Sequence, residues 1–388
     1  MKRTTVIGGR AFVASRATRV FGIAYFGLAT GELLLFPLLV QAAEPRCQVT
    51  VRKADQDAAS PVAFAAGVCD TNRERLMIVG GIDSTNRDGR RPLLACDLRT
   101  GRWSNVDVGD RAPQAAVKPA LAYDAKRDAL YLFGGWARGA SDPSDQLWTL
   151  PLAGDGANAW QFVAAQQPQP PARNGCAMAL DMRGDRLLVH GGDGGLHPTN
   201  GFTPLDDLWS YDLSAKHWSR LKATGPAPEA RWNHTAALDQ QTRRLYVYGG
   251  VGYVGERLVR DTCVFELDLD KLVWTRHYGG PQAPPPLMGT TLTHDPVADV
   301  LLLVGGLSVA DDGPPGPTSV WLFDLKSKMW VEHRNVLGST RRDHTAVYDP
   351  ARRLHVIHGG ETARELGNYY APGEPLRDTL LISITARQ

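Results

Sequence analysis

Cysteine is scarce in this sequence. There are five in 388 residues, and Cys47, Cys69, Cys96, Cys176 and Cys263 make an odd set without a CxxC spacing. An oxidising compartment would permit bridges, but at least one thiol stays free, no metal knuckle is encoded, and the residues read as small buried hydrophobes. Net charge is nearly absent as well, with 43 Lys and Arg against 41 Asp and Glu, a formal +2, and no block of like charges. That removes the electrostatic case for nucleic acid or an anionic surface as partner. Serine and cysteine nucleophile signatures and phosphate-binding glycine loops are missing too: the phased Gly-Gly pairs end apolar runs, and no helix follows to receive a phosphate. Turn formers are abundant, with 40 Gly and 26 Pro, beside 43% hydrophobic and 8% aromatic residues. This composition suits a soluble β-rich chain with a large core.

Residues 1–43 differ from the rest. Lys2, Arg3, Arg10, Arg16 and Arg19 precede an apolar stretch from Phe21 to Val40, broken by Glu32, and a cleavage-like Val40-Gln41-Ala42 follows. The order of parts is that of a secretory signal peptide. The alternative is an uncleaved signal anchor, against which Glu32 near the middle of the apolar stretch counts. The expected location is secreted or periplasmic, or outside the cytoplasm on a membrane anchor, with membrane contact only through this segment if it is uncleaved.

From residue 44 to 388 the chain repeats. A hydrophobic run closing on Gly-Gly occurs six times: Leu76–Gly81, Leu130–Gly135, Leu187–Gly192, Leu245–Gly250, Leu301–Gly306 and Leu354–Gly360, spaced 54 to 58 residues apart. Each run follows a small-residue stretch ending in Asp, as in CAMALD at Cys176–Asp181 and HTAVYD at His344–Asp349. Downstream, Asp-Leu leads to a Trp: Asp97-Leu98 to Trp103, Asp212-Leu213 to Trp218, Asp268-Leu269 to Trp274, and Asp324-Leu325 to Trp330. The second period is looser, with Pro151-Leu152 and an insertion before Trp160. Four short strands per period, each bounded by turn residues, make a propeller blade.

The phased diglycine and tryptophan resemble the kelch-repeat family of the galactose oxidase/kelch propeller superfamily, and the resemblance covers the chain from Cys47 to its end. It implies an all-β, six-bladed propeller. Glycine at the strand end would avoid a clash with the adjacent blade, and Trp would fill the space between blades. The sixth period has a strand near Thr379–Ile384 but no Trp-bearing outer strand. Cys47–Lys53 (CQVTVRK) is therefore expected to complete the last blade and close the ring.

Loops after each diglycine and connections between blades share one face of such a disc, and loops on a rigid scaffold are where binding residues sit. Aligned on the strand-ending Asp, Arg173, Arg231 and Arg341 fall at one position beside the innermost strands, with Val62, Ala116 and Leu287 in the other three periods. Their polar neighbours are Asn174, Trp232, Asn233, His234, Arg342, Asp343 and His344. With Asp193 and Glu361, which directly follow diglycines, these are the candidate ligand-binding residues at the channel mouth. Against that, Arg and His here can equally satisfy carbonyls of adjacent blades. His190 and His358, just before diglycines, read as packed core histidines, and the recurrent Asp residues as turn formers.

Two functions compete. One is a binding module presenting its loop face to a protein or glycan, with the arginines and Trp136, Trp232 or Tyr253 as anchors. The other, implied by resemblance to sialic-acid mutarotases among exported kelch proteins, is an enzyme acting on an acidic sugar. Arg231, His234, His344 and Glu361 would be its nominal participants, though no active-site motif matches. Some kelch domains also hold carboxylate-bearing partners through Arg at the matching place. Copper-radical oxidation and iron-dependent chemistry, known in related propellers, lack their tyrosine, histidine and carboxylate groupings here, so no metal, cofactor or catalytic residue is assigned.

Overall fold

A computed structural model describes residues 47–386 except 55–60, 83–92, 110, 114–116, 138–139, 141, 155–156, 165–166, 196–200, 256, 310–315 and 364–372. The expected signal segment 1–43 lies outside the described residues. Those residues form six four-stranded antiparallel sheets, each a blade running from the axis outward, with small extra pairings on the loop face. In blade 3, for example, the strands are Ala177–Asp181, Arg186–Asp193, Pro204–Asp212 and His217–Leu221. The insertion expected in blade 2 leaves an outer strand of three residues, Gln161–Val163.

Closure is as expected from the repeat. Blade 6 takes Thr345–Asp349, Leu354–His358 and Thr379–Ala386 from one end of the chain and Cys47–Lys53 from the other. Val49 is opposite Ile384 and Val51 opposite Ile382, so the edge of the last sheet is covered by the first strand.

Second strands are mainly apolar because both of their faces meet other blades; every residue of Ala129–Phe133 and of Val300–Val304 is buried. Tryptophan of one blade packs on the residue preceding the diglycine of the blade before it. Ring centroids are 5.2 Å apart for Trp218 and Phe133, 5.6 Å for Trp274 and His190, 5.4 Å for Trp330 and Tyr248, and 4.3 Å for Trp103 and His358. Blade 6 has no such Trp, and Cys47 joins the cluster containing Val304 instead. Three of the five cysteines, Cys47, Cys96 and Cys263, are buried, and burial pushes the Cys69 and Cys96 thiols up to about 12.

The first glycine of each pair explains itself at the blade boundary. A Cβ on Gly134 would lie 2.5 Å from the Arg173 carbonyl oxygen of blade 3, and one on Gly359 would lie 2.4 Å from the Val62 carbonyl of blade 1. The second glycine uses the room so made: Gly135 N–H donates to the Arg173 carbonyl and Gly360 N–H to that of Val62, at 2.9 and 2.7 Å.

On the face opposite the loops, the Asp ending each first strand accepts the N–H groups two or three residues on, as Asp124 does from Lys126 and Arg127. The same turns carry arginines that pair across blades. Arg352 reaches Glu74, Arg73 reaches Asp128 and Arg127 reaches Asp185; Arg243 of blade 4 reaches back to Asp181 of blade 3.

Gly359→Ala tests the closing seam, and Gly109→Ala is its control. Both glycines have positive φ, 68° and 67°, but a Cβ on Gly109 meets nothing. Backbone strain alone costs about 1–2 kcal/mol. Gly359→Ala should lose at least ~2 kcal/mol more than Gly109→Ala in denaturant unfolding; equal losses would show that the blade contact carries no weight.

Candidate functional site

Around the axis, one residue from each blade adopts or tolerates the left-handed conformation: Phe64, Lys118, Gly175, Asn233, Gly289 and Asp343, with φ between 50° and 63°. Their backbones form a closed circuit. Lys118 N–H donates to Phe64 O, Gly175 to Lys118, Asn233 to Gly175, Gly289 to Asn233, Asp343 to Gly289, and Phe64 N–H to Asp343 O, at 2.8 to 3.1 Å. The two glycines make room for their neighbours, since a Cβ on Gly175 would be 2.5 Å from Asn233 Oδ1 and one on Gly289 2.7 Å from Asp343 Oδ1. The remaining side chains narrow the channel here, with Lys118 Nζ 2.9 Å from Asp343 Oδ1 and 5.1 Å from the Phe64 ring centroid.

This circuit divides the channel. On the inner side a cavity of about 130 Å³ is lined by the next residue of each blade, including Cys176, His234, Thr290 and His344. On the loop side the mouth is a cavity of about 300 Å³. Phe64, Trp136, Phe202 and Trp232 supply its aromatic walls, beside Ile82 and Val117, while Lys118, Asn174, Asp193, Asn233, Arg342 and Glu361 supply its polar groups. Phe202 stacks on Trp232 at 4.6 Å and 17°, and Tyr253 stands 6.2 Å from Trp232. The Trp136 indole N–H donates to Ala140 O at 2.9 Å.

Of the residues expected at the mouth, the structure gathers Asn174, Asp193, Trp232, Asn233, Arg342 and Glu361, with Asp343 in the circuit beneath. It corrects the expectation for the arginines. Arg173, Arg231 and Arg341 are among the most fully buried side chains. Each donates to the carbonyl of the first glycine of its own diglycine, Gly191, Gly249 or Gly359, at 2.8 to 2.9 Å. Arg173 forks onto Asp207 at 2.6 and 2.9 Å, Arg341 holds Asp378 through Nη2 at 2.8 and 3.0 Å, and Arg231 lies 3.8 Å from Asp261. Burial disfavours ionisation of Asp207, yet the Arg173 fork holds its carboxyl below the usual range. These guanidinium groups tie the second strand to the third and are not offered to a ligand.

The histidines are internal too. His234 Nε2 lies 3.2 Å from His190 Nδ1, His344 Nε2 lies 2.7 Å from Thr291 Oγ1, and His358 Nδ1 lies 2.9 Å from Thr379 Oγ1. Burial drives all four down, His190 to about 3, His358 to about 4, and His234 and His344 well below the ordinary value. They are neutral at physiological pH and face packing or the inner cavity.

The carboxylates behave differently. Asp193 Oδ1 accepts N–H groups from Thr203 and Gly195 at 2.8 and 3.2 Å, and Glu361 lies 2.5 Å from Arg342 Nη2. Burial raises both pKa values; the Thr203 and Gly195 amides and the Asn174 side chain partly offset it at Asp193, as the Arg342 charge does at Glu361. Among the described residues no three His, Cys, Asp or Glu side chains are grouped as a metal would need.

Phe64, Lys118 and Phe202 are mouth residues that sequence reasoning passed over. Phe64 and Lys118 sit two positions after Val62 and Ala116, where the aligned periods have Gly, Asn, Gly and Asp. The position recurs although the residue type does not, and that spacing was the available signal. Phe202, on a loop, left none.

The sequence matches a family model described as the KLHDC2/KLHL20/DRC7 Kelch-repeats domain over residues 44–250 and 194–372. Leucine-zipper-like transcriptional regulator 1 of Pongo abelii is 28% identical over 175 residues, 43% of this chain and 19% of that protein. Host cell factor 2 of Homo sapiens is 26% identical over 234 residues, 54% of this chain and 28% of that one. Acyl-CoA-binding domain-containing protein 4 of Arabidopsis thaliana is 24% identical over 279 residues, covering 69% and 37%. The matched region thus spans less than two-fifths of these relatives' length. Among solved structures, that of YjhT superposes with a TM-score of 0.62 at 17% identity, covering 86% of this chain and 99% of the other, a likeness of fold alone.

The buried histidines carry a pH prediction. Their folded pKa values are depressed, so below 6.5 the unfolded chain takes up protons that the native state refuses. Stability is fully present above that value and is lost as pH falls towards 4 for His358 and 3 for His190. Each should cost about 2 kcal/mol by pH 5. Melting curves from pH 7.5 to 5 should drop steeply, and His358→Phe should flatten the slope; a flat wild-type profile would contradict the assignment.

Proposed function

Since the chain belongs to the kelch-repeat family, whose propeller fits a protein-binding role, we propose that it is a binding module that takes a segment of a partner protein into the mouth of its channel. The observation that carries this is the aromatic-walled cavity of about 300 Å³ on the loop side of the circuit, lined by residues of five blades. Its volume is at the lower end of the range for small-molecule sites, about 300–1,000 Å³, which suits one or two side chains of a docked segment. Aromatic groups with a few fixed polar partners are what anchor such contacts, because they bury much area while losing little rotamer freedom.

The acidic-sugar reading draws less support. Arg231 is spent on Gly249 and Asp261, His234 and His344 are neutral and internal, and Glu361 lies against Arg342. Neither an anion clamp nor a proton-transfer pair remains at the mouth from that set. Export belongs to the same proposal and rests on the basic and apolar order of residues 1–43.

Peptides selected from a random display library on the folded chain should bind at least ~10-fold more weakly to Trp136→Ala, about 1.4 kcal/mol, with little change in melting temperature. Failure to select any peptide, or indifference of all selected peptides to Trp136, would sink the reading, and turnover of an acidic sugar would replace it. For export, intact mass of the chain recovered outside the cytoplasm should show loss of about the first 43 residues; an intact amino terminus in a membrane fraction would favour the anchor.

A further inference from the structure

The charges at the mouth do not balance. Lys118 is held by Asp343 at 2.9 Å, and Arg342 by Glu361 at 2.5 Å with Asp343 at 3.7 Å. Asp193 is the remaining carboxylate. It is 2% exposed and its Oδ1 accepts two backbone N–H groups, yet no lysine or arginine among the described residues forms an ion pair with it. A buried carboxylate without a counter-charge is costly even when hydrogen-bonded. It lines the same cavity as Phe64, Trp136, Phe202 and Trp232.

A carboxylate among aromatic rings is a site for a cation, since the ring faces and the anion attract the same charge and the walls exclude water. One cation already sits there, Lys118 over Phe64 at 5.1 Å. An acidic segment would instead meet Asp193 and Glu361 as like charges. On the reading that the mouth is a docking surface, we propose that the segment it takes inserts a basic side chain, arginine or lysine, whose charged head is neutralised by Asp193 against the aromatic wall. The loop-anchoring task of Asp193 does not itself require a charge, because asparagine offers the same Oδ1 acceptor to Thr203 and Gly195.

The experiment uses the full folded chain, titrated by calorimetry and tryptophan fluorescence with acetyl-Gly-Arg-Gly-amide, the same peptide carrying the neutral isostere citrulline, and the glutamate version. The arginine peptide should bind at least ~10-fold more tightly than the citrulline one, with glutamate weakest. Asp193→Asn should erase that preference while leaving citrulline binding within about twofold and the melting temperature unchanged. Equal binding of arginine and citrulline, a preference that survives Asp193→Asn, or no arginine binding at millimolar concentration would overturn the assignment. Methylguanidinium binding as tightly as the peptide would also overturn it, by placing recognition in a free cation and not in a partner's side chain. If display peptides dock at Trp136 but carry no basic residue, the cation fails while the docking surface stands; if none dock, both fail.

Discussion

Six amide-to-carbonyl hydrogen bonds run head to tail around the axis, from Lys118 to Phe64, onward through Gly175, Asn233 and Gly289, and from Phe64 back to Asp343. Each needs its neighbour at a set distance, so the circuit couples all six blades and has no free end. It holds four non-glycine residues in the left-handed region, a conformation that costs about 1–2 kcal/mol per residue and persists only where surroundings over-determine it. The rest of the loop face is built out from this collar. Bridges such as Asn174 to Asp193 and Arg342 to Glu361 extend the innermost hairpins just above it and place the polar groups of the mouth.

Second to the collar is the diglycine seam, where the absence of Cβ lets one blade's amide reach the next blade's carbonyl. Three buried arginines serve the same seam from inside their own blades, each with a carboxylate as counter-charge. A buried guanidinium is costly unless paired, and at Arg173 the Gly191 carbonyl and the Asp207 fork supply the partners, as Gly359 and Asp378 do for Arg341. Polar side chains near the axis are therefore of two kinds: those consumed in holding blades, and those left facing the open mouth. Only the second kind can recognise a partner, and the aromatic residues beside them are what give that recognition area.

Fold was legible down to the strand that closes the ring, because Cys47–Lys53 stood at the distance from the first strand that outer strands keep in other periods. His190 and His358 were legible as packing for a similar reason, occupying the same place as Phe133 and Tyr248. The site was only partly so. Arg173, Arg231 and Arg341 stood at a repeated position near the axis, but sequence could not say that Asp207, Asp261 and Asp378, tens of residues away, would turn their charges inward. Lys118 was hidden because its position in the repeat is conserved in backbone conformation and not in side chain.

By itself the sequence determined the number of blades, the strand that closes them, and the places where glycine and tryptophan must sit, since these follow from local periodicity and from the size of a side chain at a crowded boundary. Tertiary structure alone decided which charges are spent and which are left over. That outcome depends on distances between residues brought together from different blades, and on burial, which sets the cost of every unpaired charge. Asp193 follows a diglycine just as Glu361 does; only the folded ring shows that, among the described residues, Glu361 is paired with an arginine and Asp193 is not.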